Sequence, residues 1–156
     1  MSIPKPLHNR IFLSHSSQDR AFVGRLAAVL EQHNIPYWLS ARHIKGAKKW
    51  HDEIGRALID CDWFLVVSSP DAIRSQWVKR ELLYALDQDR YNDRIIPLLH
   101  KRCDYARFSW TLTGFQLIEF TRRFDDGCRQ LLRIWNIEYK SDVAAARSAK
   151  PKKRAP

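Results

Sequence analysis

Five consecutive apolar residues, Trp63-Phe64-Leu65-Val66-Val67, constrain this chain more than any other stretch. A run so short and unbroken suits a strand covered on both faces, the interior strand of a parallel sheet. Parallel strands need crossovers, and the neighbouring segments supply them. Phe22, Leu26, Val29 and Leu30 fall at i, i+4, i+7 and i+8, a one-sided helical stripe that ends near His33-Asn34. Trp50, Ile54, Ala57 and Cys61 repeat that spacing, a third helix is expected from about Ser75 to Gln88, and Phe124, Cys128, Leu131 and Trp135 mark a last one. Between these helices lie the extended segments Ile11-Phe12-Leu13, Ile35-Pro36-Tyr37-Trp38-Leu39, Arg94-Ile95-Ile96-Pro97-Leu98-Leu99 and Phe115-Gln116-Leu117-Ile118-Glu119-Phe120. Pro97 lacks a ladder donor, which puts its strand near a sheet margin, and the alternation over 115–120 reads as an edge strand.

Alternating strands and helices with right-handed crossovers give an α/β fold, a flavodoxin-like, doubly wound, mostly parallel five-stranded sheet with helices on both faces. No internal repeat is present. In such sheets ligands sit outside the carboxyl ends of the strands, so the loops at 14–19, 40–49 and 68–76 are where function belongs.

Length and composition set the remaining bounds. The 156 residues, 45% hydrophobic and 28% charged, suit one globular domain, read as 9–138, with an N-terminal extension at 1–8 and a basic tail at 139–156. The tail carries Arg147, Lys150, Lys152, Lys153 and Arg154 with no apolar face, the composition of a disordered segment. No apolar run approaches the roughly 20 residues of a bilayer span, so no membrane partner is expected. The N-terminus lacks a signal-peptide core, and Cys61, Cys103 and Cys128 are an odd number without metal-ligand spacing, so a cytoplasmic, reducing location is expected, with no structural metal and with the cysteines as apolar fillers. A net charge of +10 favours an anionic partner without naming it.

Two common tenants of such a sheet are excluded by what the loops lack. The loop after the first strand has no glycine, which argues against Rossmann and P-loop phosphate binding. The first and third strands end in Ser14-His15-Ser16-Ser17 and Ser68-Ser69, whereas a phospho-accepting receiver needs clustered carboxylates there.

Four segments in order do resemble one family. Ile11-Phe12-Leu13-Ser14-His15-Ser16-Ser17-Gln18-Asp19 resembles the first box of Toll/interleukin receptor (TIR) domains in their bacterial, stand-alone form. Ile44-Lys45-Gly46-Ala47-Lys48-Lys49-Trp50 resembles the loop after the second strand, and Asp62 to Pro70 the third strand with its Ser-Pro ending. Ser75-Gln76-Trp77-Val78-Lys79-Arg80-Glu81-Leu82 resembles the W-x-x-x-E motif, which in enzymatic members carries the glutamate essential for cleaving NAD+. The resemblance covers about 9–136 and implies NAD+ as a substrate, with no separate cofactor.

The chemistry of those residues can be argued on its own. Trp77 and Glu81 stand at i and i+4 of one helix and can line one pocket. The nicotinamide of NAD+ is already a cationic leaving group, so a single carboxylate that steadies the oxocarbenium-like centre can suffice. Glu81 is the catalytic candidate, and its competing reading is a solvated helix carboxylate paired with Lys79 or Arg80. Trp77 serves equally as core or as ligand contact. The resemblance adds Ser14, His15 and Ser16 as contacts to the nicotinamide riboside portion, against a helix-capping role for Ser16 or Ser17. Arg42 and Lys45, with Lys48 and Lys49, can meet the diphosphate of NAD+ or an acidic surface of another copy, against a plain charged loop. Trp50 completes the substrate-binding set, though packing is its simpler role. One departure stands out: many enzymatic members have an acid after the second strand, whereas here Leu39 leads to Ser40-Ala41-Arg42, with no carboxylate before Asp52.

The expected function is therefore NAD+ hydrolysis or ADP-ribosyl cyclisation in prokaryotic antiviral defence, releasing nicotinamide with ADP-ribose or a cyclic isomer. The family also implies self-association or pairing with other TIR domains through the 40–49 loop, and a downstream effector that senses the nucleotide product. The alternative is a non-catalytic TIR adaptor working by TIR–TIR assembly. Nucleic-acid binding ranks last, because no aromatic-basic platform accompanies the charge.

Overall fold

The computed structural model describes residues 10–40 and 47–141, with the side chains of 47–51 left out of the description. Five strands alternate with helices: β1 (Ile11–Ser14), α1 (Arg20–Gln32), β2 (Tyr37–Leu39), α2 (Ala47–Asp60), β3 (Trp63–Ser68), α3 (Pro70–Arg74), α4 (Gln76–Leu86), β4 (Ile95–Leu99), β5 (Ile118–Glu119) and α5 (Phe124–Ile134). The sheet order is β2-β1-β3-β4-β5 and all four pairings are parallel, the flavodoxin-like arrangement expected.

The unbroken apolar run of β3 has its explanation in two separate cores. Leu65 and Val67 join Ile11, Leu13, Ile96 and Leu98 on the face covered by α1 and α5. Phe64 and Val66 join Phe12 and Ile95 on the other face, against Ile54 and Leu58 of α2 and Val78 and Leu82 of α4. Successive residues thus feed opposite layers, and neither parity can be polar. Phe12 stacks between Trp38 and Phe64, with ring centroids 5.1 and 5.4 Å away, which ties β2 to β3 across β1. Helices α3 and α4 start on serines. Ser69 Oγ accepts from Ala72 N at 3.0 Å and Ser75 Oγ accepts from Val78 N at 3.2 Å, so each caps its own helix. Helix α1 ends as its sequence suggests, with Asn34 in the left-handed region at φ 59°.

Three features differ from the sequence expectation. The strand with Pro97 is interior, lying between β3 and β5. Even-numbered residues of this segment face β3, since the carbonyl of Arg94 accepts from Phe64 N, and odd-numbered ones face β5, since that of Leu99 accepts from Phe120 N. The donor-free nitrogen of Pro97 therefore faces β5, whose pairing begins only at Leu98, so no ladder bond is lost. Second, the edge strand is two residues, Ile118–Glu119; a 3-10 turn over Trp110–Gly114, capped by Ser109 Oγ on Thr111 N, ends just before the expected segment, and 115–117 form no ladder. Third, the helix expected from Ser75 is preceded by a separate short one, α3, and the break falls at Ser75, whose ψ of 111° is extended.

Candidate active site

Two strand ends and one helix converge beside the sheet. Ser14 is the last residue of β1, and Ser40 follows β2, held next to it because Ser40 N donates to the Leu13 carbonyl at 3.3 Å. Helix α4 packs over these ends and presents Trp77 and Glu81 one turn apart.

Glu81 is 3% exposed and is not a solvated carboxylate. Its Oε1 accepts from Ser14 Oγ at 2.6 Å, while Oε2 accepts from Ser40 Oγ at 2.5 Å and from Trp77 Nε1 at 2.9 Å. The hydroxyl distances are those of charge-assisted O–H···O⁻ bonds. A carboxylate buried without donors would cost several kcal/mol, and this constellation answers that cost while fixing the direction of both oxygens. Trp77 packs, half-buried, on the core shared by Val78 and Leu82, the core role of its two readings, and its indole N–H donates to Glu81.

The other candidates divide. Ser14 belongs to the cluster. Ser16 spends its hydroxyl on Gln18 N at 3.2 Å, capping the 3-10 turn Ser17–Asp19, which is the local role weighed against ligand contact. His15 is buried with Nδ1 3.3 Å from the Leu13 carbonyl; a carbonyl only accepts, so Nδ1 carries the proton of that contact. Arg42 and Lys45 lie outside the described residues, as does most of the 40–49 loop; Trp50 is on the first turns of α2, its side chain likewise outside the description.

Ser40 was not singled out as a functional residue by the sequence, which showed only a missing acid there. The signal that could have found it is topological: β2 pairs in parallel with β1, so the residue after Leu39 must emerge beside Ser14. A second buried group sits at the ends of β1, β3 and β4. Asp19, 2% exposed, accepts from Ser69 Oγ at 2.5 Å through Oδ2, while its Oδ1 has no hydrogen-bond partner and lies 3.8 Å from His100 Nε2. Burial of His100 against Phe22, centroids 4.2 Å apart, lowers the imidazole pKa, and Asp19 opposes that shift. Burial pushes the thiols of Cys61 and Cys128 up to about 12, which keeps both as unreactive packing groups. Among the described residues no cluster of three or more His, Cys, Asp or Glu is arranged to hold a metal, and no helix is long and apolar enough to cross a membrane.

The TIR domain family model matches residues 11–132, from the first residue of β1 to the last turn of α5. The chain belongs to the TIR family. Curated relatives of this TIR domain include the 2′ cyclic ADP-D-ribose synthase BtTIR of Bacteroides thetaiotaomicron, 26% identical over 115 residues, covering 70% of this chain and 40% of that protein. A second is the 2′ cyclic ADP-D-ribose synthase AbTIR of Acinetobacter baumannii, 31% identical over 94 residues, covering 58% of this chain and 35% of that protein. The chain thus spans well under half the length of either relative. Among solved structures, the TIR domain of the Toll-related receptor TRR-2 from Hydra magnipapillata superposes with a TM-score of 0.65 at 20% identity, covering 79% of this chain and 94% of that one. The metazoan TIR-STING receptor of C. gigas gives 0.62 at 21%, covering 82% and 39%. The solved structures show the fold of this TIR domain, and both curated relatives are named 2′ cyclic ADP-D-ribose synthases.

Proposed function

We propose that this TIR domain cleaves the nicotinamide–ribose bond of NAD+, with Glu81 as the catalytic carboxylate. One observation carries the reading: a glutamate in the W-x-x-x-E position is buried at the carboxyl ends of the strands with both oxygens aimed by Ser14, Ser40 and Trp77. Nicotinamide leaves as a neutral base from a cationic ribosyl bond, so no general acid is needed and no cofactor is required. Positive charge develops at the anomeric carbon as the bond breaks, and a fixed carboxylate is the group that stabilises it. Water as acceptor gives ADP-ribose; attack by a hydroxyl or ring nitrogen of the same molecule gives a cyclic isomer. The names of the curated relatives, 2′ cyclic ADP-D-ribose synthases, support the cyclic outcome. In this reading a basic 40–49 loop contacts the diphosphate or a neighbouring copy, and the nucleotide product serves antiviral signalling through a separate effector.

The adaptor reading keeps one specific support: Glu81 is almost fully buried with both oxygens engaged, which also describes a purely structural carboxylate. Chromatography of NAD+ incubated with concentrated protein under crowding decides between them. Nicotinamide appearing together with ADP-ribose or a cyclic isomer is the expected result. An assembled sample that leaves NAD+ intact would establish the adaptor.

A further inference from the structure

We infer that Ser40 is a positioning residue for Glu81: its hydroxyl fixes the Oε2 side of the carboxylate so that Oε1 and Oε2 keep their orientation while charge develops on the substrate. The inference rests on the NAD+-cleaving function proposed above. Three facts carry it. Ser40 is 5% exposed and directly follows β2, beside Ser14, so its hydroxyl has little freedom to find water instead. Its contact with Glu81 Oε2, at 2.5 Å, has the length of a charge-assisted O–H···O⁻ bond. Ser40 and Ser14 also act on different oxygens from different strands, and Trp77 acts from the same helix as Glu81. The two serines therefore tie the carboxylate to the strand ends, Ser14 through Oε1 and Ser40 through Oε2.

That geometry gives a specific division of labour. Trp77 moves with α4 and cannot register Glu81 against the strand ends, whereas Ser40 can. A serine is suited to the place because its hydroxyl donates, while an ionised acid at the same distance would repel Glu81. Loss of the hydroxyl removes the Ser40 tie on Oε2, and the carboxylate gains a rotational freedom that the reacting geometry does not tolerate. Ser40 is buried with its hydroxyl given to Glu81, so in this proposal its loss acts through the carboxylate, on the chemical step rather than on ground-state binding.

The test compares kcat and KM for nicotinamide release by wild type, Ser40→Ala, Ser40→Thr and Ser40→Cys, with a melting curve for each. Ser40→Ala should lower kcat about ten- to a hundredfold with KM changed less than about twofold, the usual range for loss of a hydrogen bond to a charged group. Ser40→Thr restores the hydroxyl and should recover most of kcat; the near-isosteric thiol, a weak donor, should fall between serine and alanine and serves if the extra methyl of threonine is not accommodated. Ser40→Ala at wild-type kcat, a matching rise in KM, or a cysteine variant no better than alanine would overturn the role of Ser40 while the function stands. Wild type without turnover overturns the function itself, and the role of Ser40 with it.

Discussion

Glu81 shows how far a single residue can be read from its neighbours in sequence. The i, i+4 spacing of Trp77 and Glu81 put both on one side of a helix, and the structure keeps them in contact at 2.9 Å. What that spacing could not show is burial, because Lys79 and Arg80 beside Glu81 made a solvated ion pair equally consistent with the local sequence. Ser40 was hidden for a different reason: its partner is 41 residues away, and only the strand order brings them together. Trp77→Phe keeps the packing ring and removes the indole donor. It should lower kcat for nicotinamide release about tenfold while the melting temperature stays close to wild type, as steady-state kinetics and a thermal melt can check.

At the scale of elements, the sequence located every strand and all but one of the α-helices among the described residues, mostly because each such segment had to bury one stripe or both faces. It failed where other forces set the structure. The short α3 carries no stripe of its own and exists because Ser69 and Ser75 cap and end it. Pro97 was misplaced because the rule against central-strand proline depends on which neighbour the missing donor faces, and that is not written in one strand's sequence. Helix α5 gives a sharp prediction. A Cβ on Gly127 would come within 2.3 Å of the Phe120 ring, and Phe120, 7% exposed, is wedged in the core. Gly127→Ala should destabilise by about 1–3 kcal/mol despite the better helix propensity of alanine. Gly24, exposed in the middle of α1 with nothing within 4 Å of an added Cβ, is the internal contrast. Gly24→Ala should stabilise by about 0.5–1 kcal/mol, and denaturant melts of the two variants should therefore move in opposite directions.

For the whole molecule, the two-layered core explains why the architecture was legible in outline: repeated strand–helix units with both faces covered leave few alternatives. The polar ties across the strand ends were not, because they join β1, β3 and β4 through residues that look like ordinary loop serines and acids. One of them has a consequence for pH. His100 has its pKa lowered in the fold, first by burial, so the unfolded chain binds its proton more readily than the native one. Its contribution is present above the ordinary imidazole pKa of 6.5 and is lost as pH falls through that value toward the depressed native one. Melting temperature should decline over that window, and His100→Gln should flatten the decline.

The central claim is that a carboxylate held by Ser14, Ser40 and Trp77 breaks the nicotinamide–ribose bond. It is tested most directly by the rate of nicotinamide release from NAD+ for wild type and Glu81→Gln, both concentrated, crowded and shown to be folded. The near-isosteric amide removes the charge and leaves the site's shape, so a loss of about a hundredfold or more in kcat is predicted. Equal turnover by the two proteins would contradict the account.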